Sequence, residues 1–329
     1  MINERDILDP LNDEDIPKVF VVGSNIAAGG TNMAYHLGCI VSKVWKYEPV
    51  NVIVDDHNNE HSVWDYPVKF SQTKLSELNK VAGKNDLLIA NPSFSKFFFG
   101  ASFPGKKLMY VQGCNTFTVL DGFFDKYIAV SPFVQRYMME VYNLKMPVIP
   151  PFIHFEDMPK KLALWEDRSE GSVVTILKWG GGALLEYFQK LVNKKYPHIK
   201  YSLKIIKSGT PHKQVLNEMS KNRHFLWLSQ VEGFGIPPLE AMMCGCTVVG
   251  FHAGGGLSYF QNNYNASVFS YPNIEKVVDS FGNLLTNPLY SEKLAINALN
   301  TATPYTYDRF LTSWVTELSS LIGPPPKKL

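Results

Sequence analysis

Short apolar runs that close on a glycine or a polar residue recur along this chain, and segments of helical length separate them. KVFVVG (18–23) leads through SNIAAGG into TNMAYHLGCIVSKVW, whose apolar spacing is helical, and VNVIVDD (50–56) follows. Unbroken apolar strands belong to sheets covered on both faces, and parallel neighbours need a crossover element between them. A strand, a glycine-rich turn, a helix and a second strand in succession therefore predict a βαβ unit and an α/β class.

The rhythm continues through an expected helix near 73–82, strands at DLLIA (86–90), KLMYVQG (107–113) and KYIAVS (126–131), a helix at 132–143 and a strand in MPVIPPFI. HFEDMPKKLALWEDRSEG (154–171) is charged and interrupts it. The pattern then restarts with SVVTILK (172–178), a helix near 183–195, YSLKIIK (201–207), a helix at 211–220, HFLWLS (224–229), CTVVG and a helix near 274–286. TPYTYDRFLTSWVTELSSLIG reads as one more amphipathic helix. A chain of 329 residues is long for a single core and comfortable as two domains. The expected organisation is a Rossmann-like domain over 1–153, a linker at 154–171, a second Rossmann-like domain over 172–303, and a C-terminal helix and tail at 304–329 that packs back toward the first domain.

Composition removes several classes of function. The chain is 45% hydrophobic and 19% charged, with mean hydropathy −0.09, and no apolar run approaches the ~20 residues of a spanning helix. The start, MINERDILDPLNDEDIPK, is acidic and lacks the apolar stretch of a secretory signal, so a cytoplasmic location is expected. A net charge of +2 supplies no global field for nucleic acid, and an anion would have to be held locally. The four cysteines, Cys39, Cys114, Cys244 and Cys246, suit neither a disulfide framework nor a zinc site and are expected to be reduced and packed. His57 after Asp55 and Asp56 is better read as strand-end solvation than as a metal site, so no metal is expected.

The densest chemistry lies in SQVEGFGIPPLEAMMCGCTVVG (229–250), which places Glu232 and Glu240 around a Gly233-Phe234-Gly235 turn and a Pro-Pro pair. A helix is expected from Pro237 or Pro238 to Cys244, with Glu240 in its first turn, where the helix dipole favours a carboxylate. Unpaired N–H groups at such a terminus, next to glycines that admit a ligand to the backbone, suit an anion or a polar sugar. Taken singly, each glutamate is most simply a capping or solvated acid. Taken together, they can be up to ~25 Å apart along the chain, and carboxylates accept well from vicinal hydroxyls.

This stretch, followed by HAGGGLSYF, resembles the signature of the retaining glycosyltransferases of family 4, in which a Glu-x-Phe-Gly-x-x-x-x-Glu pattern is carried here by Glu232, Phe234, Gly235 and Glu240. The resemblance implies the GT-B fold, two Rossmann-like parallel-sheet domains facing a cleft, with an acceptor-side N-terminal domain and a nucleotide-sugar-binding C-terminal one. It implies that Glu232 contacts hydroxyls of the donor sugar, that Glu240 holds the ribose, and that the Gly233 to Gly235 turn lies along the donor. Gly29 and Gly30 resemble the family's N-domain glycine loop beside the donor diphosphate. Lys178 is the best match to the basic residues that neutralise the pyrophosphate, with Lys207 as the fallback. Many members place a histidine near the end of an N-domain strand, where DLLIANPS offers Asn91 instead.

The expected activity is metal-independent, retaining transfer from a UDP- or GDP-sugar to a glycan, lipid-linked or small-molecule acceptor, with no separate cofactor. FSKFFFGASFPGKK (94–107) is aromatic and flanked by lysines; burial explains it first, and peripheral membrane contact with a lipid-linked acceptor second. His252, beside the Gly254 to Gly256 run, suits either a ligand contact or ordinary packing. Two alternatives compete. A nicotinamide-dependent oxidoreductase would use Asp55 at the end of the second strand, but GSNIAAGG lacks the Gly-x-Gly-x-x-Gly spacing. A non-catalytic sugar-nucleotide-binding partner subunit would explain the missing histidine and the incomplete basic pair.

Overall fold

The computed structural model describes residues 16–23, 29–54, 66–114, 116–177 and 181–326. Asp55, His57 and Lys178 lie outside them. The described residues divide into two compact units: those up to Tyr110, Thr116–Ile128 and those from Trp314 onward form the first, and Val111–Cys114 with Ala129–Ser313 form the second.

In chain order the first half contains β1 (Lys18–Gly23), α1 (Gly29–Trp45), β2 (Glu48–Ile53), β3 (Ser71–Lys74), α2 (Leu78–Val81), β4 (Leu87–Ala90), α3 (Phe99–Ser102), β5 (Lys106–Val111), β6 (Lys126–Ala129) and α4 (Pro132–Tyr142). The six strands form one sheet in the order β3-β2-β1-β4-β5-β6. β1 pairs in parallel with β2 and β4, β2 with β3, and β4 with β5. This is the doubly wound order in which the chain reverses direction beside β1. Val19, Phe20, Val21 and Val22 are fully buried, as a central strand with helices on both faces demands. Within the first unit the end of α10 (Tyr307–Ile322) packs Trp314 edge-on against Tyr110, 5.0 Å between ring centroids. Lys126 pairs with Glu317 at 2.5 Å, and the Trp45 indole donates to Gly323 O at 2.9 Å.

The second half runs β7 (Ser172–Ile176), α5 (Gly181–Lys195), β8 (Ser202–Ile206), α6 (His212–Ser220), β9 (His224–Trp227), α7 (Ile236–Met243), β10 (Thr247–Phe251), β11 (Ser267–Phe269), α8 (Ile274–Thr286), α9 (Pro288–Ala302) and α10. Its five strands are ordered β11-β10-β9-β7-β8, and every pairing is parallel. Counted from β7, this is the flavodoxin-like 2-1-3-4-5 order, whose switch point lies between β7 and β9. Ligands of open α/β sheets bind beyond the carboxyl ends of the strands at such a point. The chain there is the segment after Ile176 on one side and the segment from Leu228 to Gly235 on the other.

The two parallel-sheet α/β units match the class expected, and several details differ. In place of the helix expected near 73–82, SQTK forms the edge strand β3 before a 3-10 turn and the four-residue α2; an exposed edge strand has no apolar alternation to reveal it. MPVIPPFI contributes only a bridge from Val148 to Ala129, because Pro147, Pro150 and Pro151 cannot donate to a ladder. β11 and α9 have no counterpart among the expected elements. The charged stretch at 154–171 is not a loose linker: Arg168 is 5% exposed and donates to Ala163 O, Asn222 O, Cys244 O and Gly245 O. Arg223 donates to Trp165 O, and its guanidinium lies over the Trp165 ring. The stretch is thereby sewn onto the second unit.

Candidate active site

β9 delivers its chain to Ser229, and from there backbone contacts dictate the turn. Glu232 N donates to Ala253 O at 2.8 Å and Gly255 N donates to Glu232 O at 3.1 Å, so Glu232 lies against the turn that follows β10. That turn carries positive φ at Ala253 (53°) and Gly254 (76°), which is why the glycine run sits where it does. The side chain is aimed as well: Ser229 Oγ donates to Glu232 Oε1 at 2.6 Å.

Gly233 is required by close approach, since a Cβ there would stand 1.9 Å from Gln112 O. Ser131, which caps α4 by accepting from Val134 N at 3.1 Å, also donates its hydroxyl to Gly233 O. Gly235 has φ 87° and precedes α7. Tyr259 Oη donates to Gly235 O at 2.6 Å. The Phe234 ring is 3% exposed and stands 5.2 Å from the Tyr259 ring and 5.8 Å from the Tyr305 ring. It anchors the turn from below, and ligand contact by this residue would come from its backbone.

α7 begins at Ile236, one to two residues earlier than expected, so Glu240 falls in the second turn; the first turn holds no acidic residue. Pro237 and Pro238 have no N–H, which removes half of the donors a helix start would otherwise present and weakens the expectation of an anion site there. The 5% exposure of Glu240 also ends the reading of it as a capping or solvated acid. Its Oε1 accepts from His212 Nε2 at 2.7 Å, and His212 Nδ1 bonds Asp157 Oδ2 at 2.8 Å. Burial works against the charged imidazole, but the hydrogen bonds and charges of Glu240 and Asp157 outweigh it and hold His212 up to about 9. At neutral pH it is an imidazolium between two carboxylates.

Of the other expected residues, Gly29 and Gly30 open α1 in the first unit. Lys207 is exposed after β8, the edge strand next to β7. Asn91 caps a 3-10 turn, its Oδ1 accepting from Ser93 N at 2.9 Å. His252 is turned to its own loop, its Nδ1 accepting from Gly254 N at 3.1 Å. Cys39, Cys244 and Cys246 are buried free thiols, and Cys244 and Cys246 donate to Leu216 O and Met219 O. Among the described residues no cluster of acids, histidines and cysteines could hold a metal, and no helix is long and apolar enough to cross a membrane.

Sequence reasoning missed His212, Asp157 and Arg168. None has a local signal: His212 is 28 residues from Glu240 and 55 from Asp157.

The histidines give stability a pH dependence of opposite sign on the two sides of neutrality. His212 is raised from 6.5 to about 9, so its contribution is full below pH 6.5 and lost as pH rises through 9. Burial lowers His224 to about 4, so protonation opposes folding increasingly as pH falls from 6.5 toward 4. Each effect is on the order of 3 kcal/mol. We expect the urea midpoint to peak near pH 6.5 and to fall by pH 9.5; an unchanged midpoint across that alkaline range would contradict the assignment of His212 as charged.

Residues 179–301 match the family model of the glycosyl transferases group 1. ORF378 of Acidianus filamentous virus 2, a reading frame named for glycosyltransferase activity, is 61% identical over 33 residues, which cover 10% of this chain and 9% of that protein. Among solved structures, S. aureus TarM (a point mutant in complex with Fondaparinux, α-GlcNAc-glycerol and UDP) is similar at TM-score 0.60 and 18% identity, covering 73% of this chain and 57% of that one. The chain thus spans little more than half of the TarM chain. Sucrose-phosphate synthase from Thermosynechococcus elongatus gives TM-score 0.67 at 11% identity over 92% of this chain and 98% of its own. Anabaena HepE in complex with UDP gives 0.65 at 15% identity, covering 93% and 100%. These likenesses define the fold as the two-sheet α/β class of the GT-B glycosyltransferases.

Proposed function

We propose that this protein is a glycosyltransferase that takes a sugar from a nucleoside-diphosphate sugar, retains its anomeric configuration, and needs no metal. The observation that carries the reading is the Glu232-to-Glu240 motif, built at the switch point of a flavodoxin-like sheet inside the stretch that matches the group 1 family. Glu232, aimed by Ser229, takes the donor-sugar hydroxyls; Glu240, behind the turn on α7, takes the ribose. The Gly233 to Gly235 backbone lies along the donor. Lys178, which follows β7 in the chain, neutralises the departing diphosphate by fixed charge. TarM and HepE are described with UDP, which supports a nucleotide donor of that kind here. The acceptor is a glycan, a lipid-linked sugar or a small molecule.

UDP or GDP at a hundred times its dissociation constant should stabilise the protein by about 2.7 kcal/mol, while NAD should not. Incubation of UDP- and GDP-sugars with a panel of acceptors, with the product linkage read by NMR, should then show transfer with retention. Stabilisation by NAD alone would restore the dehydrogenase reading. Stabilisation by a nucleotide without turnover on any acceptor would point to a binding subunit, and an inverted product would remove the retaining mechanism.

A further inference from the structure

We propose that His212 is a positioning residue for nucleotide binding: clamped between Asp157 and Glu240, it fixes Oε1 of Glu240 and so directs the other oxygen, Oε2, toward the two ribose hydroxyls of the donor. The inference rests on Glu240 being the ribose ligand and adds how that ligand is held.

Three elements make the clamp. Asp157 ends a 3-10 turn (Phe155–Asp157), His212 is the first residue of α6, and Glu240 sits in the second turn of α7. The three side chains are 17%, 13% and 7% exposed, so water competes little for their hydrogen bonds. Among the described residues, the hydrogen bond to the Glu240 carboxylate falls on Oε1. A carboxylate on a short helix has free rotation about its last torsion; an imidazole edge at 2.7 Å removes that freedom. A vicinal diol needs an acceptor of fixed direction, and an acceptor ordered before binding loses less entropy when the ligand arrives.

The groups that face His212 from neighbouring elements are consistent with a charged ring. The His154 ring stands 5.6 Å away, centroid to centroid, and burial together with the His212 charge lowers its own pKa. Glu156 bonds His154 at 3.3 Å, and Lys213, next to His212, stands 3.6 Å from the Asp157 carboxylate. On α7, burial holds the Cys244 thiol protonated while it donates to Leu216 O. The ring at about 9 therefore loses its second proton only in alkaline solution, and a neutral imidazole can serve only one of the two carboxylates.

The test is the affinity of the full chain for UDP, with GDP and ADP in parallel, by calorimetry from pH 6.5 to 10. Wild type should bind one of them with an affinity that falls by about tenfold above pH 9. His212→Ala should weaken it by about tenfold at pH 7. His212→Gln, whose amide can still donate to Glu240, should recover most of that loss and show no alkaline fall. Glu240→Ala should weaken binding at least as much as His212→Ala. Wild-type affinity in His212→Ala, with Glu240→Ala impaired, would overturn the clamp and leave the ribose assignment standing. Wild-type affinity in Glu240→Ala would overturn both. If His212→Ala does not fold, the comparison of His212→Gln with wild type decides: a His212→Gln variant that keeps the alkaline fall excludes His212 as its source and sinks the proposal.

Discussion

Replacing Glu232 by Gln should lower kcat/KM for sugar transfer by about a hundredfold, with the melting temperature unchanged. The substitution keeps the shape of the side chain, and its Oε1 still accepts from Ser229 Oγ, the contact seen at 2.6 Å. What disappears is the charge and one acceptor. A hydroxyl that donates to a carboxylate gains about 1.5 to 3 kcal/mol. An amide NH₂ presented to the same hydroxyl reverses the donor and acceptor roles. About 3 kcal/mol across the donor-sugar contact corresponds to the hundredfold expected. Because the donor sugar carries the reacting carbon, the loss should appear in kcat as well as in KM, whereas Glu240→Ala should act mainly on nucleotide affinity. Single-turnover transfer assays on both variants, with equilibrium binding of UDP, separate the two. A Glu232→Gln enzyme within about threefold of wild type would remove Glu232 from the site.

The second large effect lies outside the motif. Arg168→Met should destabilise the second unit by about 3 to 5 kcal/mol and lower the melting temperature by roughly 10 °C. The guanidinium is 5% exposed and gathers carbonyls from three places: Ala163 O in its own stretch, Asn222 O before β9, and Cys244 O and Gly245 O at the end of α7. Those last two are orphan carbonyls at the negative end of a helix, where a fixed cation is worth most. Methionine fills comparable volume and satisfies none of them. Arg168→Lys should recover little, since one ammonium group lacks the planar fork that spans all four acceptors. Urea unfolding followed by tryptophan fluorescence would measure it, and a loss below about 1 kcal/mol would show that the 154–171 stretch contributes little to holding α7.

The architecture was largely legible because its signals are local. Wholly buried strands such as Val19–Val22 and Phe225–Trp227 appear as unbroken apolar runs, and their alternation with helical segments leaves a parallel sheet as the economical arrangement. What escaped was equally physical. β3 is a four-residue edge strand of polar residues, and β11 has only three residues. The charge density of 154–171 suggested solvent exposure, whereas Arg168 and Arg223 bury their charges against backbone carbonyls, partners with no sequence signature. The motif was visible as a spacing, but Phe234 as a core anchor and Pro237 and Pro238 as missing donors became clear only with the helix start placed at Ile236.

By itself the sequence determined that the chain would fold as two parallel α/β sheets and that Glu232 and Glu240 would flank a glycine turn, since strand periodicity, helix spacing and turn chemistry act over a few residues. Only the tertiary structure decided what those glutamates face. Glu232 is aimed by Ser229 and backed by the turn after β10, and Glu240 is joined to His212 and, through it, to Asp157. Such pairings arise where packed helices bring distant side chains within hydrogen-bonding distance, and the charge on His212 comes from two carboxylates that outweigh its burial, a juxtaposition no local pattern encodes.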